Sequence, residues 1–141
     1  MAELTLDECR RLFEGRLPGL FGIEPLEVVH GRVAMRLDVR PEHLAPNGYL
    51  HAGTVVTLAD TACGFGSLAS LPEGATGFTT VELKSNFLRT AADGSALHCE
   101  ATLVHGGRTT QVWDATVTRE DDGKPLALFR CTQYMLRPRD E

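Results

Sequence analysis

Nowhere in this sequence do two cysteines stand close enough in the chain to grip a metal ion or form a redox pair. Cys9, Cys63, Cys99 and Cys131 are scattered, with no CxxC spacing, and such thiols read as packing residues in a reducing compartment. Positive charge is also in short supply. The chain has 14 Lys and Arg against 19 Asp and Glu, a net charge of −5, which argues against a nucleic-acid surface. Long apolar runs are missing too. The most apolar stretch, 54–69, is interrupted by Asp60 and by glycines, and it is too short to span a bilayer. The N-terminal MAELTLDECRRLF is charged and short, unlike a secretory signal, so a soluble cytoplasmic protein is expected. No repeat, linker or low-complexity segment divides the 141 residues, a length that suits a single domain, 1–141.

What the chain does have is one dense stretch, 47–70. It begins in a turn, Pro46-Asn47-Gly48, and passes through His51-Ala52-Gly53 into Val55, Val56, Leu58, Ala59, Ala62, Cys63, Phe65, Leu68 and Ala69. Those residues leave no polar face, so the helix they form is buried. Around it the pattern changes. Thr5-Leu6-Asp7-Glu8 reads as a capping box that opens a short amphipathic helix. The segment 22–29 is a candidate first strand. Val33, Met35, Leu37 and Val39 alternate through 32–40, and further strands are expected at 78–89, 95–105, 108–119 and 124–136, with Asp121-Asp122-Gly123 as a hairpin turn. A long central helix with about five antiparallel strands makes a two-layer α+β domain.

One carboxylate sits inside the buried helix. Asp is rarely buried without a partner or a task, so Asp60 is the leading candidate for general base or nucleophile; the plainer alternative is a structural Asp bonded to a hydroxyl. The unpaired amides of a helix N-terminus hold developing negative charge, which makes the Ala52 and Gly53 N–H groups candidate oxyanion donors. Asp60 lies eight residues past Ala52, about 12 Å along the axis. Both groups cannot serve one carbonyl from the same helix. A second, antiparallel copy across a two-fold axis would bring them together, and a site shared between subunits follows. His51 reads as a supporting residue, and no second His or Cys at ligand spacing argues for a metal. Asn47 is equally a site residue or a turn residue before Gly48. Cys63, one turn after Asp60, reads as packing.

His-x-Gly followed by a long helix with Leu58-Ala59-Asp60, the Asp nine residues after the His, resembles the hotdog-fold acyl-CoA thioesterases, in particular the PaaI-like (phenylacetate-pathway) and 4-hydroxybenzoyl-CoA thioesterase-like families. The likeness continues through Phe87-Leu88-Arg89, Gly107-Arg108-Thr109-Thr110, Trp113-Asp114 and Leu136-Arg137-Pro138. It implies a sheet wrapped around the helix and hydrolysis of an acyl- or aryl-CoA thioester to free acid and coenzyme A. Neither a metal nor a redox cofactor is implied, coenzyme A entering only as part of the substrate. By the same resemblance Thr80 orients the attacking water, while Arg89, Arg108 and Arg137, with Thr109 nearby, surround the nucleotide end of coenzyme A. A homodimer, or a homotetramer made of two dimers, is implied as well. Two positions depart from the pattern: Ala52 stands where relatives have Gly, and Ala45 where many have Asn or Gln. The rival readings are an acyl-CoA hydratase or dehydratase, whose acid/base spacing differs, and a non-catalytic acyl-CoA binder, which has no use for Asp60.

Overall fold

The central helix forms where the apolar run requires it. In the computed structural model, which describes residues 4–139, α3 spans Ala52–Ala69 and lies across the inner face of a six-stranded sheet. Residues 1–3, the start of the charged N-terminal stretch, and 140–141 lie outside the described residues. Ahead of α3 come α1 (Leu6–Phe13), α2 (Leu17–Phe21), β1 (Glu24–Val29), β2 (Arg32–Asp38) and a single 3-10 turn (Pro41–His43); after it come β3 (Gly77–Phe87), β4 (Ala96–Gly106), β5 (Thr110–Arg119) and β6 (Pro125–Leu136). The strands are ordered β1-β2-β4-β5-β6-β3, and every pairing is antiparallel. The sheet has six strands, against about five expected, and each overlaps one of the six candidate segments, β1 falling inside 22–29. A register shift between Pro25 and Glu27 leaves only Pro25 and Val28 of β1 buried.

Local chemistry accounts for the ends of these elements. Thr5 caps α1 and closes the expected box with Glu8. The five residues of α2 begin with Pro18 in the first turn and end at Gly22, whose φ of 77° suits glycine alone among the common residues. His43, buried under the 3-10 turn, accepts from the Arg40 amide through Nδ1 and donates from Nε2 to the Phe21 carbonyl. Its own carbonyl takes the Thr54 hydroxyl and the His51 amide, so this histidine ties α2 to the start of α3. Burial lowers its pKa, in keeping with a neutral structural ring.

Helix and sheet approach closely at two glycines. A Cβ on Gly66 would stand 2.5 Å from the Trp113 ring, and one on Gly64 would stand 2.9 Å from the tip of Phe78. Trp113 is fully buried; its indole N–H donates to Gln111 Oε1, and the Gln111 amide donates to the Ser70 carbonyl at the end of α3. All four cysteines are buried free thiols. No helix among the described residues is long and apolar enough to cross a membrane.

Gly66→Ala is expected to destabilise the fold by about 1–3 kcal/mol, because the added methyl enters space filled by a ring that cannot retreat. Urea unfolding checks this: the midpoint should fall with the slope unchanged. An unchanged midpoint would mean that helix and sheet can separate at little cost.

Candidate active site

The N-terminus of α3 is capped by its own histidine. His51 holds an extended backbone at φ −67°, ψ 133°, and its Nδ1 accepts the Gly53 amide at 2.7 Å. Accepting through Nδ1 leaves the ring proton of a neutral imidazole on Nε2. The Gly53 amide is therefore engaged by His51, whereas the Ala52 amide has no partner among the described residues. His51, Ala52 and Gly53 are all exposed. One free donor, where sequence pointed to two, faces solvent at the positive end of the helix. Asn47 is exposed and its Oδ1 accepts from the Tyr49 amide at 3.1 Å; it is occupied in shaping the turn.

Two turns further on, Asp60 is half-buried, and its Oδ1 atom is buried with no hydrogen-bond partner. Burial raises the carboxyl's pKa, and the neighbouring Thr80 hydroxyl partly offsets the rise. Thr80 is presented by β3, where the register slips between Thr80 and Glu82. That bulge leaves Val81 as an extra residue. Thr80 then pairs with buried Gln133 while Glu82 turns to bond Thr132. Bulges commonly re-aim a side chain beside a functional group, and this one had no sequence signal. Cys63 is held far from its thiolate by a hydrogen bond with Cys131 and by burial, so it is no nucleophile.

Within one chain the arginines do not form a single patch. Arg108 and Arg137 line one surface hollow with Glu73 and Gly107, and Arg137 donates to the Glu73 carbonyl at 3.2 Å. Thr109 adjoins them and is exposed; its carbonyl accepts from Met135. Arg89 follows the far end of β3 and donates to the Pro125 carbonyl. β3 pairs with β6 from Gly77↔Leu136 to Phe87↔Ala127, which separates Arg89 from Arg137 by about 35 Å of strand. The expectation of three neighbouring arginines thus fails for a single chain, because β3 runs antiparallel to β6. Among the described residues no cluster of His, Cys, Asp and Glu is arranged to hold a metal ion.

Sequence reading missed two buried amides, Gln111 and Gln133. Their signal was present: along β6, Phe129, Cys131, Gln133 and Met135 occupy successive inward positions, and a glutamine among them is the exception.

A central helix, a one-layer antiparallel sheet and a carboxylate two turns into that helix define a hotdog enzyme of the thioester-hydrolysing kind. The thioesterase superfamily matches over residues 47–126, and the chain belongs to it. It is 34% identical to the 1,4-dihydroxy-2-naphthoyl-CoA hydrolase of Listeria monocytogenes over 111 residues, which cover 79% of this chain and 88% of that protein. The structure of a thioesterase from Haemophilus influenzae superposes with a TM-score of 0.88 at 25% identity, over 96% of this chain and 93% of the other. A Streptococcus mutans protein, whose crystal structure is bound to acetyl CoA, superposes at 0.79 with 26% identity, over 91% and 98% of the two chains.

The raised Asp60 pKa has a consequence for stability. The folded carboxyl keeps its proton to higher pH than the unfolded chain does, so the folded state binds more protons between the two values, and its stability falls as pH rises through that window. Asp60→Asn should therefore raise the melting temperature near neutral pH, and the gain should vanish below the window, where Asp60 is already neutral. Melting curves of both proteins from about pH 3 to about pH 8 test this. A gain of equal size at every pH would show that Asp60 is not held in a desolvating site.

Proposed function

We propose that this protein is an acyl-CoA thioesterase whose sites each draw on two copies of the chain. The observation that carries the reading is the Asp60 carboxylate, one oxygen buried and unpartnered, beside the Thr80 hydroxyl and with no second Asp, Glu, Lys, Arg or His in its helix. A group so placed has its stabilising interactions reserved for something that arrives. The Listeria relative's action on a CoA thioester and the acetyl CoA bound by the Streptococcus neighbour support the substrate class.

In this mechanism the Ala52 amide, aided by the positive end of α3, polarises the thioester carbonyl and holds the oxyanion. Asp60 either takes a proton from a water that attacks the carbonyl carbon, with Thr80 orienting that water, or attacks the carbon itself. His51 positions the helix start. On the first route the oxyanion collapses, the C–S bond breaks, and the departing coenzyme A thiolate takes up the proton held by Asp60, leaving the free acid. On the second the thiolate leaves first, and water then splits the acyl–Asp60 anhydride, which frees the acid and restores the carboxylate.

The pairing that this requires is supported by β3. It is an edge strand of 11 residues, and Val81, Leu83 and Phe87 along it, with Leu88 just past its end, are exposed. A long apolar edge rarely stays bare. Antiparallel pairing with β3 of a second copy would set Asp60 near Ala52 of the partner subunit. It would also carry Arg89 toward Arg108 and Arg137 of the partner subunit. The three arginines then form one phosphate-binding group, for which the planar guanidinium fork is suited.

Complementation across chains is the direct test. Asp60→Asn keeps the amide donor without the carboxylate, and Ala52→Pro keeps the carboxylate without the N–H. Each alone should lose most turnover of an acyl-CoA. Mixed dimers formed by co-refolding should recover about a quarter of wild-type activity, since half the dimers are mixed and each has one intact site. No recovery in proven mixed dimers would place both groups in one chain and end the shared-site reading.

The arginines make a separate prediction. Arg89→Ala, Arg108→Ala and Arg137→Ala should each raise KM for acyl-CoA several-fold with kcat nearly unchanged, because phosphate contacts are as strong in the ground state as in the transition state. With an acyl-pantetheine thioester, which lacks the nucleotide, the effect should disappear. Steady-state kinetics on both substrates measures it, and wild-type KM in all three variants would remove them from the site.

A further inference from the structure

Gln133 is fully buried, and neither Oε1 nor Nε2 has a hydrogen-bond partner in the protein. An amide buried in that condition is costly, by roughly 1–3 kcal/mol on protein mutational scales, and buried amides nearly always find partners. Its place in the sheet says where a partner would be. Gln133 pairs with Thr80 on one side and with Gln111 on the other, so three polar side chains form a row across β3, β6 and β5. Gln111 is anchored at both ends of its amide: one Nε2 proton goes to the Ser70 carbonyl and Oε1 accepts the Trp113 indole N–H. Thr80 is less engaged. Its hydroxyl lies beside Asp60, and with its one proton turned that way the oxygen lone pairs are free. Directly opposed residues on one face have their Cβ atoms about 5 Å apart, and one water would bridge the remaining gap.

We propose that Gln133 is a positioning residue for the Asp60–Thr80 pair and acts through one buried water held between its amide and the Thr80 hydroxyl. The water donates one proton to Thr80 Oγ1 and the other to Gln133 Oε1. Donation into the hydroxyl oxygen makes Thr80 a stronger donor to Asp60, since chains of hydrogen bonds polarise one another. The pair therefore keeps the catalytic carboxylate ionised at a lower pH than its burial alone would allow. Polar buried surroundings with two or more partners are where internal waters are found. This inference rests on the assignment of Asp60 as the catalytic carboxylate.

Gln133→Met keeps the length and the apolar volume and removes the amide. The test measures kcat/KM against pH on an acyl-CoA, together with the melting temperature, for the wild type, Gln133→Met, Thr80→Val and the double variant. In Gln133→Met the acid limb should move up by about half to one pH unit, the equivalent of one lost hydrogen bond of about 1 kcal/mol, while KM holds. The melting temperature should hold or rise, because an amide that needs a water has been replaced by a packed thioether. Thr80→Val should move the limb at least as far, and the double variant no further than Thr80→Val alone, because Gln133 acts only through Thr80. A Gln133→Met enzyme with its acid limb unmoved overturns the proposal, as does one that merely melts lower. If Gln133→Met does not fold, an unmoved limb in Thr80→Val overturns it equally, and an upward shift there supports it. Asp60→Asn, assayed alongside, separates the two levels. Full activity in that variant sinks the catalytic assignment itself, whereas a dead Asp60→Asn with an unmoved Gln133→Met limb sinks only the water bridge.

Discussion

The architecture depends on how closely α3 can lie on the sheet. At Gly66 the Trp113 ring occupies the space a side chain would take, and at Gly64 the tip of Phe78 does the same. Interiors are packed at crystal-like density, so these two contacts fix the height of the helix and its rotation about its own axis. Once the rotation is fixed, Cys63 meets Cys131 on β6 and Asp60 meets Thr80 on β3. The helix thus crosses the sheet obliquely, with Asp60 over the edge strand and its last turn bonded to β5 through Gln111. A bulkier residue at either glycine would lift the helix and pull Asp60 away from Thr80, so the packing contact and the site geometry are one constraint.

Much of this was legible in the sequence, for physical reasons that can be named. A helix apolar on every side has nowhere to go but the interior, and a lone Asp within it announces itself. Val33, Met35, Leu37 and Val39 are all buried, as strict alternation demands. The features that were not legible share a different character. α2 is a five-residue helix, too short for any periodicity to register, and the bulges in β1 and β3 fall where no residue pattern marks them. The engagement of the Gly53 amide by His51 depends on a side-chain rotamer, which no spacing reveals. The separation of Arg89 from Arg108 and Arg137 depends on strand order: positions that look alike along the chain, each at a strand end, fall at opposite ends of the sheet.

The polar row of Thr80, Gln133 and Gln111 bears on register as well as on chemistry. β6 is paired on both sides, and a slip of one residue would turn Gln133 outward and bring Thr132 or Tyr134 beneath the helix. Tyr134 is exposed in the observed register, and its ring would collide with α3. Gln111 gains its bond to the Ser70 carbonyl only when β5 is in register with the end of the helix. A polar group such as Gln111, satisfied in one register and stranded in the next, penalises the wrong pairing more than apolar contacts can, because apolar burial is nearly indifferent to a shift of two residues.

On the proposed two-fold pairing, the arrangement of the thioesterase site follows from the helix itself. An oxyanion donor has to lie at the N-terminus, where amides are free and the dipole is positive. A carboxylate poised to act as a base has to lie where water is partly excluded, which is deeper in the helix. The two demands cannot be met at the same point of one helix, and about 12 Å separate Ala52 from Asp60. Two antiparallel helices meet both demands at once, and they do so twice. The edge strand that permits this pairing is β3, the strand that also carries Thr80 and its bulge. A change on the β3 edge would therefore alter both sites of a dimer together, and association of subunits and catalysis would be lost in parallel, not one after the other.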